Sequence, residues 1–319
     1  MRLGTRASAL ALAQAELVAQ RLRSSAGSDV EIVPIVTRGD RESAGVDDAA
    51  GELTGDRAAG EPPRGEDKSR WVSELERALL DSRIDAAVHS AKDVPGELAE
   101  GLVLAAAPPR AGAEDALCGA GSLDSLAPGA RIGTSSVRRV AQLRAAREDL
   151  EVVAIHGNVD TRLRKLAAHE LDALVLARAG LQRLRRDGEI GALLDAERFV
   201  PAPGQGTLAL QARADDATTC DALRAAGDAE ALACLLCERA LSRALDASCD
   251  TPLGAHASLD GATMRLRAWV GLPDGSEWIV DELEREAIAG AALAGEVARR
   301  MQLAGAAEIL QAAARAPTR

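Results

Sequence analysis

Short apolar runs and longer stretches with helical spacing alternate along the first two hundred residues, and the alternation occurs twice. The apolar starts Arg2-Leu3-Gly4-Thr5 and Arg131-Ile132-Gly133-Thr134 each lead into a helical stretch, at 9–24 and 137–147. The run Val30-Glu31-Ile32-Val33-Pro34-Ile35 is echoed by Leu150-Glu151-Val152-Val153-Ala154-Ile155, and Ile84-Asp85-Ala86-Ala87-Val88 by Leu171-Asp172-Ala173-Leu174-Val175. Each half therefore reads strand, helix, strand, helix, strand. Such alternation predicts an α/β protein with two similar domains, each a mostly parallel sheet covered by helices.

The offset between matching positions falls from 129 (Gly4 to Gly133) to 120 (Val30 to Leu150) to 87 (Asp85 to Asp172), so the first half holds an insertion. It lies at 39–70, a stretch rich in Gly, Asp, Glu, Arg and Pro with no apolar period, as expected of a mobile flap. The flap closes on Lys68 and Trp71. Further on, Val200-Pro201-Ala202-Pro203-Gly204-Gln205-Gly206 suits a hinge or crossover, followed by a strand candidate at 207–211. From 229 the pattern reads one long helix, a loop at 248–252, strands at 263–270 and 277–280, and a final Ala-rich helix, a small α+β third domain. The expected division is 1–108 with 207–226, then 109–206, then 227–319.

Length and a hydrophobic share of 47% suit two or three packed domains. A net charge of −11 argues against a nucleic-acid or anionic-membrane binder, whose surface needs a field of the opposite sign. With no tyrosine and one phenylalanine, stacking on single strands is not expected either. No run approaches the length of a membrane span and the start lacks a signal-peptide pattern, so a cytoplasmic protein is expected. The five cysteines (Cys118, Cys220, Cys234, Cys237, Cys249) have no disulfide-framework spacing. Cys234 and Cys237 form a C-x-x-C, but their spacing places both on one face of the long helix and no second ligand pair accompanies them; no metal site is expected.

Candidate chemistry sits where strands end. The run 85–95 is a buried strand leading to a polar turn that shows Lys92 and Asp93 side by side, and Lys92 is one of three lysines among 38 basic residues. In open parallel sheets ligands bind beyond the carboxyl ends of the strands, where helix N-termini offer free N–H groups. Thr134, Ser135 and Ser136 add hydroxyls there, and Arg138 and Arg139 place two cations in the first turn of a helix. That placement costs a few tenths to about 1 kcal/mol each, which suggests an anionic ligand to offset it. Arg6 occupies the matching turn of the first half, and Arg162 opens the helix after His156, Gly157 and Asn158. Guanidinium forks match carboxylate or phosphate; with neither a G-x-x-x-x-G-K-[ST] nor a G-x-G-x-x-G present, a polycarboxylate fits better than a nucleotide.

Seven collinear motifs, Arg2-x-Gly-Thr-Arg-x-Ser8, Val36-Thr-Arg-Gly-Asp40, His89-Ser-Ala-Lys-Asp-Val-Pro95, Gly133-Thr-Ser-Ser-Val-Arg-Arg139, Gly157-Asn-Val159 with Thr161-Arg162, Pro203-Gly-Gln-Gly206 and Ser248-Cys-Asp-Thr-Pro252, closely resemble the porphobilinogen deaminase (hydroxymethylbilane synthase) family. The resemblance implies three α/β domains, the first two like periplasmic binding proteins. It also implies a dipyrromethane cofactor joined by a thioether to Cys249, and head-to-tail addition of four porphobilinogen molecules in tetrapyrrole biosynthesis. By the same resemblance Asp93 is the catalytic carboxylate, assisted by Lys92. Arg6, Arg138, Arg139, Arg162 and Arg183 hold ligand carboxylates, while Ser8, Lys68, Thr134, Ser135, Ser136, His156, Gly157, Asn158 and Gln205 are further cofactor or substrate contacts. Family members mostly act as monomers, which is the expectation here. His156 stands where the family usually has arginine, and Ser69-Arg70-Trp71 replaces its usual glycine and apolar pair. A competing class, a two-lobed protein that binds or senses a polycarboxylate without chemistry, explains the cleft and its arginines but not Asp93 beside Lys92 or Cys249 in a third domain.

Overall fold

The computed structural model describes residues 1–27, 29–36, 69–248 and 250–315. Lys68, Cys249, the flap up to residue 68 and the side chain of Trp71 lie outside the described residues; Ser69 and Arg70, expected in the flap, open a helix instead. The first sheet contains β1 (Arg2–Arg6), β2 (Glu31–Ile35), β3 (Ala86–Ser90), β4 (Leu102–Ala106) and β10 (Leu208–Arg213) in the order β2-β1-β3-β10-β4. The second contains β5 (Asp115–Cys118), β6 (Arg131–Gly133), β7 (Glu151–Val153), β8 (Ala173–Ala177) and β9 (Ala192–Leu193) in the order β7-β6-β8-β5-β9. In each, one strand runs against the rest, and it is the one that arrives from the other half: β10 in the first, β5 in the second. The chain thus crosses between the sheets twice, at 107–114 and 200–207.

The duplication reaches side-chain detail. Arg2 N donates to Asp85 Oδ2 at 2.7 Å while Asp85 N donates to Arg2 O at 2.9 Å. Arg131 and Asp172 repeat the exchange at 2.7 and 2.9 Å. Gly4 and Gly133 take the same register beside the third strand of their sheets, against Ala87 and Leu174. An added Cβ would strike Ile84 in one half and would lie 2.7 Å from Leu171 in the other, so each glycine lets the residue that enters the third strand pack over the first.

Helices α1 (Ala9–Ala26) and α2 (Ser69–Leu80) cover the first sheet; α3 (Val137–Ala146), α4 (Val159–Ala167) and α5 (Arg178–Arg183) belong to the second. After β10 and α6 (Ala217–Ala225) comes α7 (Ala229–Ala244), then the antiparallel sheet of β11 (Leu253–Asp260), β12 (Thr263–Gly271) and β13 (Trp278–Glu286), closed by α8 (Gly290–Leu303) and α9 (Ala306–Arg315). Helix α7 is buried on two faces. Cys234, Cys237, Leu241 and Leu245 enter the core of the third domain, whereas Ala231 and Leu235 pack with Ala91, Val94, Leu104 and Ala209 of the first.

Candidate active site

Strand β3 stops because its next amide leaves the ladder: Ala91 N donates to Thr207 O at 3.0 Å, and Val94 N closes a 3₁₀ turn on Ala91 O at 3.2 Å. Ala91 and Val94 are the buried members of that turn, which leaves Lys92 and Asp93 half-buried on its polar side. The hinge lies directly on the turn. At Gly204, whose φ is +74°, an added Cβ would be 3.0 Å from the carbonyl carbon and Cβ of Ala91 and from the amide of Lys92, so only glycine permits both the backbone shape and the approach.

Behind the turn a buried polar chain joins three elements. Gln211 Nε2 donates to Glu76 Oε1 at 2.9 Å, and since a carboxylate only accepts, Gln211 Oε1 must face His89 Nε2, also at 2.9 Å, which therefore carries its proton. Burial pushes the His89 imidazole down to about 4, against the opposing pull of the Gln211 hydrogen bond and the Asp93 charge; Arg239 and Arg6 push it down as well. His89 is thus neutral, with Asp93, Arg239 and Arg6 as the charges that act on it.

In the second half, the strand ends are stitched together through Ser135, whose Oγ donates to Ile155 O and accepts from Ile155 N at 3.2 Å. Asn158 caps α4 by accepting from Thr161 N at 2.9 Å, and Arg162 Nε donates to Gly157 O at 2.8 Å. Ser135, His156, Gly157, Asn158 and Arg162 consequently form one cluster beyond β6 and β7, all but half-buried Arg162 exposed. Thr134 is buried and its Oγ1 accepts from Ser136 N at 3.3 Å; Ser8 caps α1 through Ala11 N at 3.3 Å. Arg183 is different. Its Nη2 donates to Gly206 O at 2.6 Å, no carboxylate pairs with it among the described residues, and burial pushes its guanidinium down to about 10.

Two family models match: "Porphobilinogen deaminase, dipyromethane cofactor binding domain" over residues 1–221 and "Porphobilinogen deaminase, C-terminal domain" over 232–303. The chain is 41% identical over 313 residues to a porphobilinogen deaminase of Deinococcus radiodurans, covering 97% of both chains. It is 40% identical over 321 residues to that of Syntrophotalea carbinolica, covering 100% of this chain and 97% of the relative. The chain belongs to the porphobilinogen deaminase family. Solved structures similar to it include a nutrient binding protein from Burkholderia cenocepacia bound to methionine, at 12% identity and a TM-score of 0.42, covering 72% of this chain and 93% of that one.

Within this porphobilinogen deaminase fold, three of the expected ligand contacts share one buried carboxylate. Arg138, Arg139 and Gln205 are buried around Asp115. Asp115 Oδ2 accepts from Arg138 at 2.8 Å, and Oδ1 accepts from Arg139 Nε at 3.0 Å, Arg139 Nη2 at 2.7 Å and Gln205 Nε2 at 2.7 Å. Burial alone would push the Asp115 carboxyl up, but the two guanidiniums and these hydrogen bonds together hold it well below the usual carboxylate range. A residue of β5 thus offsets part of the charge of the two cations at the start of α3, one carboxylate against two guanidiniums. Arg138 also donates to Val200 O at 2.8 Å and Arg139 to Val175 O at 3.0 Å, tying the hinge to the second sheet.

The cysteine readings separate cleanly among the described residues. Cys118, Cys220, Cys234 and Cys237 are buried, and burial pushes the thiols of Cys118 and Cys234 up to about 11 and that of Cys237 to about 12. No group of three His, Cys, Asp or Glu residues that could hold a metal occurs among the described residues, and no described helix is long and apolar enough to cross a membrane. Sequence reasoning missed Asp115, Arg110, Glu238 and Arg239. The signal was present, since Glu238 and Arg239 interrupt the apolar stretch of α7 and charged residues are almost never fully buried unless paired.

Proposed function

We propose that this protein deaminates four porphobilinogen molecules and joins them head to tail on a covalently held dipyrromethane, releasing hydroxymethylbilane and ammonia. The observation that carries the reading is the hinge loop, which touches the Lys92–Asp93 turn through Gly204 and, two residues on, holds through Gly206 the half-buried guanidinium of Arg183, which has no carboxylate partner among the described residues. A half-buried cation without a carboxylate partner among the described residues fits an acidic ligand, and each pyrrole of this substrate carries an acetate and a propionate. When bound, dipyrromethane supplies a free pyrrole α-carbon for the first addition.

The residues divide the remaining work. Asp93 accepts pyrrole N–H groups, stabilises the cation left as the aminomethyl C–N bond of porphobilinogen breaks and ammonia departs, and assists removal of the proton from the carbon that gains the new C–C bond. Lys92 pairs with ligand carboxylates or protonates the leaving amine. Arg6, Arg138, Arg139, Arg162 and Arg183 take ligand carboxylates, with Ser8, Lys68, Thr134, Ser135, Ser136, His156, Gly157, Asn158 and Gln205 as further contacts. Cys249 forms the thioether; in support, the four described cysteines are buried with raised thiols, unsuited to act as thiolate nucleophiles. The division into 1–108 with 207–226, 109–206 and 227–319, a monomeric state, the absence of a nucleic-acid partner and a cytoplasmic location belong to the same proposal. Intact mass and acidic p-dimethylaminobenzaldehyde colour of the purified protein, followed by a time course of porphobilinogen consumption, test it. Added mass, colour and stepwise enzyme–intermediate masses are expected; a protein that binds porphobilinogen but never consumes it would favour the sensing alternative.

A further inference from the structure

Helix α7 carries two consecutive charged residues in the interior, Glu238 and Arg239, 0% and 6% exposed. They reach the catalytic turn from opposite ends. Glu238 Oε2 accepts from Gly204 N at 2.6 Å, and Gly204 in turn rests on Ala91 and Lys92. Arg239 donates to the three carbonyls that follow Asp93, from Nη1 to Val94 O at 3.1 Å and from Nη2 to Pro95 O at 2.7 Å and Gly96 O at 2.9 Å. A planar guanidinium can hold three successive carbonyls in one arrangement, whereas an ammonium, a point charge on a flexible stem, cannot impose it. The same helix ends at Ala244, just before the loop that contains Cys249.

We propose that Arg239 is a positioning residue for Asp93. It fixes the backbone immediately after the carboxylate. Residues Ala231 and Leu235, which pack with Ala91 and Val94, make the helix a support for the turn and not a cover for the third domain alone. This inference rests on the reading of Asp93 as the catalytic carboxylate.

The test compares holoenzymes of Arg239→Lys, Arg239→Met and Asp93→Asn, with Arg243→Gln, an exposed position one turn further along α7, as control. Arg239→Lys keeps a buried positive charge and the long stem, so it removes the fork with least disturbance of folding. Both Arg239 variants are expected to retain the mass of the bound cofactor and to lose about 10- to 100-fold in kcat, the scale of a misplacement near 1 Å. KM for porphobilinogen should stay within about 3-fold, as for loss of an interaction that matters in the transition state. Amide hydrogen exchange should quicken at 94–98 and not at 231–237. Turnover per folded holoenzyme unchanged in Arg239→Met while Asp93→Asn is inactive would overturn this inference alone. Full activity of Asp93→Asn would instead remove the reading beneath it.

Discussion

Glu238 and Arg110 meet at 2.6 Å although they stand 128 residues apart, and the carboxylate is completely buried. Its oxygens also accept from Ala257 N at 2.7 Å and Gly204 N at 2.6 Å, while Arg110 Nε donates to Gln205 O at 2.9 Å. One carboxylate thus binds the crossover at 107–114, the hinge and the third domain. Removing one partner of a buried pair strands the other, at a cost of about 3–5 kcal/mol. Glu238→Ala should lower stability by that order in urea unfolding, and a loss under about 1 kcal/mol would show that the junction is not held this way.

Asp93→Asn should load cofactor normally and turn over hardly at all, because the neutral amide cannot stabilise the cation formed as ammonia leaves. Cys249→Ser should fail to load. Mass spectrometry separates the two effects, and normal bilane production by either variant would contradict the assigned roles.

Arg183 carries a cost in the absence of ligand. Its protonated form is held less tightly in the fold than in the unfolded chain, so at neutral pH the charge opposes folding by an amount on the order of a few kcal/mol. Arg183→Met should therefore raise the melting temperature of ligand-free protein while weakening its hold on porphobilinogen, seen as a raised KM. A variant with both unchanged stability and unchanged KM would place the guanidinium outside the ligand site.

His89 predicts a pH dependence. Its folded value, about 4, lies below the ordinary imidazole value of 6.5, so the unfolded chain binds the proton better. The associated stability is complete above about pH 6.5 and is lost as pH falls towards 4, on the order of 3 kcal/mol in all. His89→Asn should lose that part of the acid slope. An unchanged slope between pH 6.5 and 4 would mean that other groups govern it.

Much of the fold was legible in the chain because its signals are local. Matching strands fall where the duplication places them, with Gly4 and Gly133 in equivalent registers, although β3 and β8 begin two residues later than the apolar runs do. Strands β4, β5, β9 and β11 were not foreseen. Strand β5 opens on a charged residue, Asp115, and β9 is only two residues long, so neither shows an apolar period.

The chain by itself determined the paired α/β halves, the Lys92–Asp93 turn and the glycines of the hinge, since hydrophobic period and turn chemistry act between near neighbours. It also places Ser135, His156, Gly157, Asn158 and Arg162 at matching strand ends. Only the tertiary structure decided which arginines meet a carboxylate of the protein itself. Arg138 and Arg139 share the single carboxylate of Asp115, delivered by another strand, while half-buried Arg183 meets a carbonyl and no carboxylate among the described residues. The reason is electrostatic: burial makes every ionised group depend on a partner, and that partner is chosen by chain crossings that no local pattern records.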